Sequence, residues 1–316
     1  MPSSLSLLAG TALAALAPVA ADAAVPAQAR AWNFHADHLL GTSFDMAVVA
    51  PSEAQAQFAF AAAQAEIARL DKVLSGWRDD SELAAFNADA AHRASPDLSA
   101  VVQACETWRV KSGGAFDASL NTCPARLDVD GIAKGYVIDR ALAAARRAAP
   151  CATAMMVDIG GDLACWGDRA WAVGVADPAR PQDNAAPLAV LALRDRALAV
   201  SGPGPRDRII DGQPVSHLID AVTGRPAPRR QAAVVARTAM DADALATALA
   251  TLPPARGVAL AERLPGVEAM ILDVDGTRHE TAGWASCQAT APLPSGFQVQ
   301  VEYNLPKVEV ANYRKP

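Results

Sequence analysis

Asp128, Asp130, Gly131, Lys134 and Gly135 fall within one run, Leu127-Asp-Val-Asp-Gly-Ile-Ala-Lys-Gly-Tyr136, and each has something to offer an anionic ligand. An apolar start followed by glycines reads as a strand end turning into a helix. Glycine lets backbone N–H groups come close to a ligand, and a helix N-terminus favours a phosphate. Lys134 adds a positive charge. Asp128 and Asp130 stand where a base or a hard cation has use for them. A plain strand–turn–helix with a solvated lysine is the competing reading of this run taken alone.

A second group lies in Met240-Asp-Ala-Asp-Ala-Leu-Ala-Thr247, where Asp243 and Thr247 share one face of a helix. A carboxylate and a hydroxyl stacked this way are hard oxygen ligands, suited to Mg2+ holding a phosphate. The plainer alternative is helix-start chemistry, with Asp241 as N-cap and Asp243 in the first turn. His217 precedes an expected turn at Thr223-Gly224. It is either a structural hydrogen-bonder or a base able to deprotonate a hydroxyl near neutral pH. Gly113-Gly-Ala-Phe-Asp117 is a helix stop, or a backbone lining a flat ring with Asp117 accepting hydrogen bonds. Trp77 caps the core or stacks on a ligand. Asp273-Val-Asp-Gly-Thr277 matches the D-x-D-G-T start of haloacid-dehalogenase phosphatases. That fold needs the motif at its first strand, with most of the domain downstream, so a hairpin turn is expected here.

The elements that must position these residues follow from periodicity. A strand is expected over 41–49. An amphipathic helix over 54–74 carries Phe60, Ala63, Ile67, Leu70 and Leu74 and is followed by a polar loop, Arg78 to Leu83. A second helix is expected at 98–111, and a third from Gly131 to about Ala149. Strands follow at 154–159 and 171–175. Those at 188–193 and 197–201 are read as a hairpin turned by Arg194-Asp195-Arg196. A strand at 231–237, helices at 241–251 and 255–263, and a hairpin of 268–273 with 277–281 complete the pattern. Strands in runs with grouped helices indicate α+β or mixed α/β rather than a regular doubly wound sheet.

The chain has 316 residues, 52% of them hydrophobic, enough to bury a sizeable core. A formal net charge of −6 argues against a general nucleic-acid binder. Residues 1–24 hold a short apolar run ending in Ala21-Asp22-Ala23, the pattern of a secretory signal, although no lysine or arginine precedes it. The run is too short to span a bilayer, so a periplasmic or otherwise exported protein is expected, membrane-associated at most through a partner. Five cysteines without C-x-x-C spacing speak against zinc and leave disulfide pairing open. Residues 290–316 read as a tail that alternates over 297–303, as if a further strand or a truncated domain began there.

Taken together and in order, the segments resemble the ApbE-type FAD:protein FMN transferases. Ser75-Gly-Trp77, with Ser81-Glu-Leu83 and Phe86-Asn87, is similar to an early loop of that family, and Gly113–Asp117 to its G-G-x-F-D. Leu127–Tyr136 with Asp139 resembles D-L-G-G-I-A-K-G-Y-x-x-D, followed by Val157–Gly161 as the next strand. Ser201-Gly202 and His217–Gly224 resemble S-G and H-x-I-D-P-x-T-G, and Ala242–Thr247 resembles A-D-A-L-x-T. The resemblance spans about residues 40–280 and implies a two-lobed, T-fold-like α+β domain, here bounded at 25–289, with mixed or antiparallel sheets flanked by helices. It also implies Mg2+-dependent transfer of FMN from FAD to a threonine or serine of an acceptor flavoprotein, with AMP leaving. By matching position, Gly131, Asp243 and Thr247 would ligate Mg2+. Trp77, Ala115, Phe116, Asp117, Asp128 and Lys134 would hold FAD, and His217 would be the base. Departures are a short span between Asp117 and Asp128, Asp130 in place of glycine, Pro203-Gly-Pro205 after S-G, and Ala221 where proline is usual. A hydrolase releasing FMN and AMP, and a non-catalytic flavin-binding protein, stand as the other readings.

Overall fold

Alternation along one strand separates two cores. In Ala154–Ile159, Met155, Val157 and Ile159 face one hydrophobic cluster, while Ala154 and Met156 face another. A sheet buried on both faces needs a layer on each side, and the computed structural model supplies both. It describes residues 29–89, 91–120, 126–180, 185–204, 206–289 and 298–300. The chain opens with β1 (Arg30–Leu39) and β2 (Thr42–Ala50), then α1 (Glu53–Leu74), α2 (Glu82–Ala88) and α3 (Pro96–Lys111). Next come β3 (Ser119–Leu120), β4 (Arg126–Leu127), α4 (Asp130–Ala148), β5 (Ala154–Ile159), β6 (Asp162–Gly167), β7 (Trp171–Val175), β8 (Ala189–Leu193) and β9 (Ala197–Ser201). Two small hairpins follow, β10 (Arg208–Ile210) with β11 (Gln213–Val215) and β12 (Ile219–Asp220) with β13 (Arg225–Pro226). The remaining elements are β14 (Gln231–Ala236), α5 (Ala239–Thr251), α6 (Pro254–Glu262), β15 (Glu268–Leu272), β16 (Arg278–Glu280), α7 (Trp284–Cys287) and β17 (Gln298–Gln300).

The main sheet runs β1-β2-β5-β6-β9-β14-β15-β16, antiparallel throughout. Helices cover one face, with α1 packed on α4 and α4 on α5. On the other face lies a small sheet, β17-β7-β8, whose β17–β7 pair is parallel. This is the expected α+β class. The amphipathic helix is α1, which buries Ala56, Ala59, Ala63, Ile67, Leu70 and Leu74, while Phe60 stacks between Phe34 and Phe44.

Three local expectations are corrected. β8 and β9 do not form a hairpin: β8 pairs with β7, and β9 pairs with β6 and β14. Arg194-Asp195-Arg196, with Asp195 at φ 50°, carries the chain from one sheet to the other. The polar loop after Trp77 is shorter than expected, because Ser81 caps α2 and Leu83 is buried within it. Thr238, not Asp241, is the N-cap of α5, accepting from the Asp241 N–H. The alternation over 297–303 falls partly on β17, and its remainder lies outside the described residues, as do the N-terminal apolar run and Cys123.

Candidate active site

The start of α4 and the body of α5 lie against each other closely enough that side chains must be absent at the contact. A Cβ on Gly135 would run into the Ala239 carbonyl, and one on Gly131 would meet Thr247 Oγ1 at 3.0 Å and the Phe116 ring at 3.2 Å. One step further along α4, Asp139 accepts from the Ala239 and Met240 N–H groups at 2.9 and 3.0 Å, capping α5 from its neighbour. Gly131, Gly135 and Asp139 recur every fourth residue, so one stripe of α4 meets Thr247, Asp243 and Ala239 in reverse order.

Oxygen atoms gather at this seam. Thr247 Oγ1 lies 3.5 Å from the Gly131 carbonyl and 3.3 Å from Ser201 Oγ. The Gly135 N–H donates to Asp243 Oδ2 at 2.9 Å. Lys134 Nζ pairs with Asp162 Oδ2 at 2.9 Å, and Asp162 Oδ1 accepts from the Val200 N–H. Burial lifts the Asp243 carboxyl well above the usual carboxylate range, and the Asp162 charge adds to the effect. Lys134 shows the opposite balance: burial disfavours its charge, but Asp162 and Asp243 outweigh that and raise its pKa.

Of the other predicted residues, Phe116 touches this seam directly, and the rest lie on segments that lead toward it. Ala115 accepts from Thr251 Oγ1, Phe116 is buried against Gly131, and Asp117 accepts from the Ser119 N–H. Asp128 donates its N–H to the Ala118 carbonyl and accepts from the Asp130 N–H. Asn87 holds this approach in place by bonding both the N–H and the carbonyl of Leu127. Trp77 is 80% exposed and stands beside Asp130, where its indole N–H favours the charged carboxylate. Burial, then the neighbouring Asp128, raises the Asp130 pKa, and Arg206 at 3.8 Å opposes the rise. Arg206 begins the segment that leads to His217. His217 Nδ1 lies 2.9 Å from Asp207 Oδ1, which also accepts its backbone N–H, and Arg229 holds the other carboxylate oxygen at 2.8 Å. With Nδ1 donating to a carboxylate, Nε2 keeps its lone pair and is the ring nitrogen able to accept a proton.

Asp162, Asp207 and Arg229 were not singled out by sequence reasoning. Asp162 has a faint signal, following Gly160-Gly161 directly, whereas Asp207 sits among prolines and arginines with none.

The seam fits a divalent cation by its donor set. Gly131 O, Asp243 and Thr247 Oγ1 are hard oxygens, and a cation would favour the ionised form of Asp243 that burial opposes. Among the described residues no three His, Cys, Asp or Glu side chains close on one point. A cation here would therefore rest on mixed protein oxygens together with those of its ligand.

A family model described as the ApbE family matches residues 40–124 and 120–271. A relative named FAD:protein FMN transferase from Treponema pallidum (strain Nichols) is 28% identical over 280 residues, covering 67% of this chain and 76% of its own. One of the same name from Klebsiella pneumoniae (strain 342) is 24% identical over 307 residues, covering 79% and 86%. Among solved structures, an ApbE protein from Thermotoga maritima superposes with a TM-score of 0.72 at 21% identity, covering 82% of this chain and 100% of its own. The apo flavinyl transferase ApbE of Pseudomonas stutzeri gives 0.69 at 22% identity, covering 84% and 98%.

Proposed function

The chain belongs to the ApbE family, and from that premise we propose that it transfers the FMN part of FAD to a threonine or serine hydroxyl of an acceptor flavoprotein, releasing AMP. The observation carrying this reading is the α4–α5 seam, where a glycine-lined helix start, Lys134 and the oxygens of Asp243 and Thr247 meet. A dinucleotide pyrophosphate suits such a place, because the positive end of α4 and Lys134 meet there the oxygens that would hold a cation.

Gly131 O, Asp243 and Thr247 would hold Mg2+, which when bound supplies charge neutralisation at the pyrophosphate. Lys134 balances the phosphate charge, and Asp162 fixes where its ammonium points. Asp128 and the 115–117 backbone line the approach, with Trp77 offering an exposed indole to the flavin. His217 Nε2 takes the proton from the acceptor hydroxyl as its oxygen attacks the FMN phosphorus. The bond to the AMP oxygen breaks, and Asp207 with Arg229 keeps the imidazole oriented. The apolar N-terminal run supports placing this reaction after export, and no helix among the described residues is long and apolar enough to cross a membrane.

The test is incubation with FAD and Mg2+, with and without an acceptor, following AMP and protein-bound flavin fluorescence. AMP formed only with acceptor is expected. AMP formed equally without it makes the protein a hydrolase, and bound FAD with no AMP makes it a flavin binder. Asp243→Ala is expected to abolish AMP release while leaving the circular dichroism spectrum unchanged; undiminished turnover removes the metal assignment.

A further inference from the structure

A reaction that modifies a protein needs a landing place beside its base, and the hairpin ending near His217 has that character. Nine large hydrophobic side chains are exposed among the described residues, and four of them, Ile209, Ile210, Ile219 and Val222, lie within the fourteen positions that flank His217. Single exposed apolar residues are ordinary, but four in so short a stretch give a partner apolar surface to cover. Ile209 is 71% exposed and Val222 81%.

One foot of the β10–β11 hairpin is tied to the start of α4, and its two feet are tied to each other. Arg206 reaches Asp130 at the start of α4, and Asp207 is clasped by His217. Between the feet, Asp211 at φ 50° and Gly212 at φ 75° form a two-residue turn of the I′ kind. That turn makes Ile210 and Gln213 the hydrogen-bonded pair, so at the next pair, Ile209 opposite Pro214, backbone polar groups point outward. On the β11 side the outward donor is missing, because Pro214 has no N–H. On the β10 side Ile209 presents both an N–H and a carbonyl, and among the described residues no further strand pairs with β10. One edge is thus open and the other blunted.

Charge narrows the occupant. Of the five arginines over residues 206–230, Arg206, Arg229 and Arg230 are paired with Asp130, Asp207 and Asp273, which leaves two. Arg208 and Arg225 are exposed and have no carboxylate partner among the described residues. Asp220 is engaged with the Val222 and Thr223 N–H groups.

We propose that the outer edge of β10 receives an extended, acidic and aliphatic segment of the acceptor protein by strand addition, setting its hydroxyl residue beside His217. Main-chain pairing gives affinity that depends little on sequence, while Ile209, Ile210 and Arg208 select the flanking residues. The inference rests on the transferase reading, because that reading is what requires a protein at this site.

The probes are two fluorescent peptides with one threonine each, one flanked by aspartate and valine and the other by lysine and serine. Both binding, read as anisotropy, and FMN transfer are measured with the full chain. The acidic peptide is expected to bind at least about tenfold tighter than the basic one. Ile209→Ser with Ile210→Ser, and separately Arg208→Glu, are expected to weaken its binding about tenfold, the size of losing an interface anchor. FAD affinity and the urea midpoint stay unchanged in both variants, which shows that they are folded. Equal binding by the variants and the parent, or failure of the parent to prefer the acidic peptide, overturns the proposal. Selective binding without any FMN transfer overturns the transferase reading and leaves the docking edge standing.

Discussion

Asp207 carries more of the candidate site than its position in the sequence suggests. Its carboxylate is almost fully buried, a costly placement. Bonds from His217 and Arg229 outweigh the burial and hold its pKa below the ordinary value. Replacing it by asparagine keeps the shape but removes the charge and lets the imidazole take the other tautomer. Asp207→Asn is expected to lower kcat for FMN transfer by about a hundredfold or more, given the cost of disorienting a general base. KM for FAD stays within a factor of two, and Asp207→Glu recovers part of the rate. A loss of FAD affinity equal to the loss of rate would reduce Asp207 to a structural residue. The legibility of the site follows from the same contrast. Gly131, Lys134, Asp243 and Thr247 lie in contiguous runs whose spacing matches a helix turn, so local sequence displays them. Asp162 and Asp207 arrive singly from a strand end and a loop, and only the fold brings them to Lys134 and His217.

At the scale of elements, α4 is the hub: α1 packs on one side of it and α5 on the other. Gly135→Ala puts a methyl where the Ala239 backbone already stands, and a backbone cannot rotate away. The variant is expected to lose about 2–3 kcal/mol of stability, typical of overpacking, read as the urea midpoint. AMP release falls with it, because the methyl pushes α4 and α5 apart at the seam. The α1 side is held by charge. Arg69 bonds Glu66 and Asp97, Tyr136 donates to Asp97 at 2.6 Å, and Arg140 lies 3.5 Å from Glu66. Hydrogen bonds from Arg69 hold both carboxyls below their ordinary values despite partial burial. A depressed folded pKa means stabilisation present above the unfolded values near 4 and lost as pH falls through the folded ones. Because Arg69 is half exposed, the contribution is at most about 1 kcal/mol. Arg69→Met is therefore expected to destabilise at pH 7 and to converge with the parent as pH falls below the unfolded carboxyl values near 4. A gap that widens on acidification would contradict the assignment. Helices were legible because α1, α3 and α5 carry their apolar residues at helical spacing. β1 and β6 were not: β1 is a half-exposed edge strand, and the Asp162-Leu-Ala-Cys-Trp-Gly167 run of β6 shows no alternation because its first four residues are buried. The mistaken β8–β9 hairpin has a related cause, since the short link resembles a turn while the partner strands are chosen by packing on two different sheets.

For the molecule as a whole, the seam joins parts of the chain that are far apart in sequence: Gly131 and Thr247 are separated by 116 positions. A ligand that spans them binds only the folded state and stabilises every element packed around α4 and α5. Mass action sets the scale, about 2.7 kcal/mol at a hundred times Kd. Two ligands sharing one cation site should do so unequally. When ionised, Asp243 repels a pyrophosphate bound without the cation, and Mg2+ alone lacks the phosphate oxygens needed to complete its shell. FAD and Mg2+ together are therefore expected to raise Tm by more than the sum of their separate effects. In Asp243→Ala the repulsion falls and the clamp is lost, so FAD alone should raise Tm at least as much as in the parent, while added Mg2+ contributes nothing further. A Mg2+ increment of unchanged size in that variant would put the cation elsewhere on the molecule, and a strictly additive pair of shifts in the parent would mean that FAD and the cation occupy separate sites.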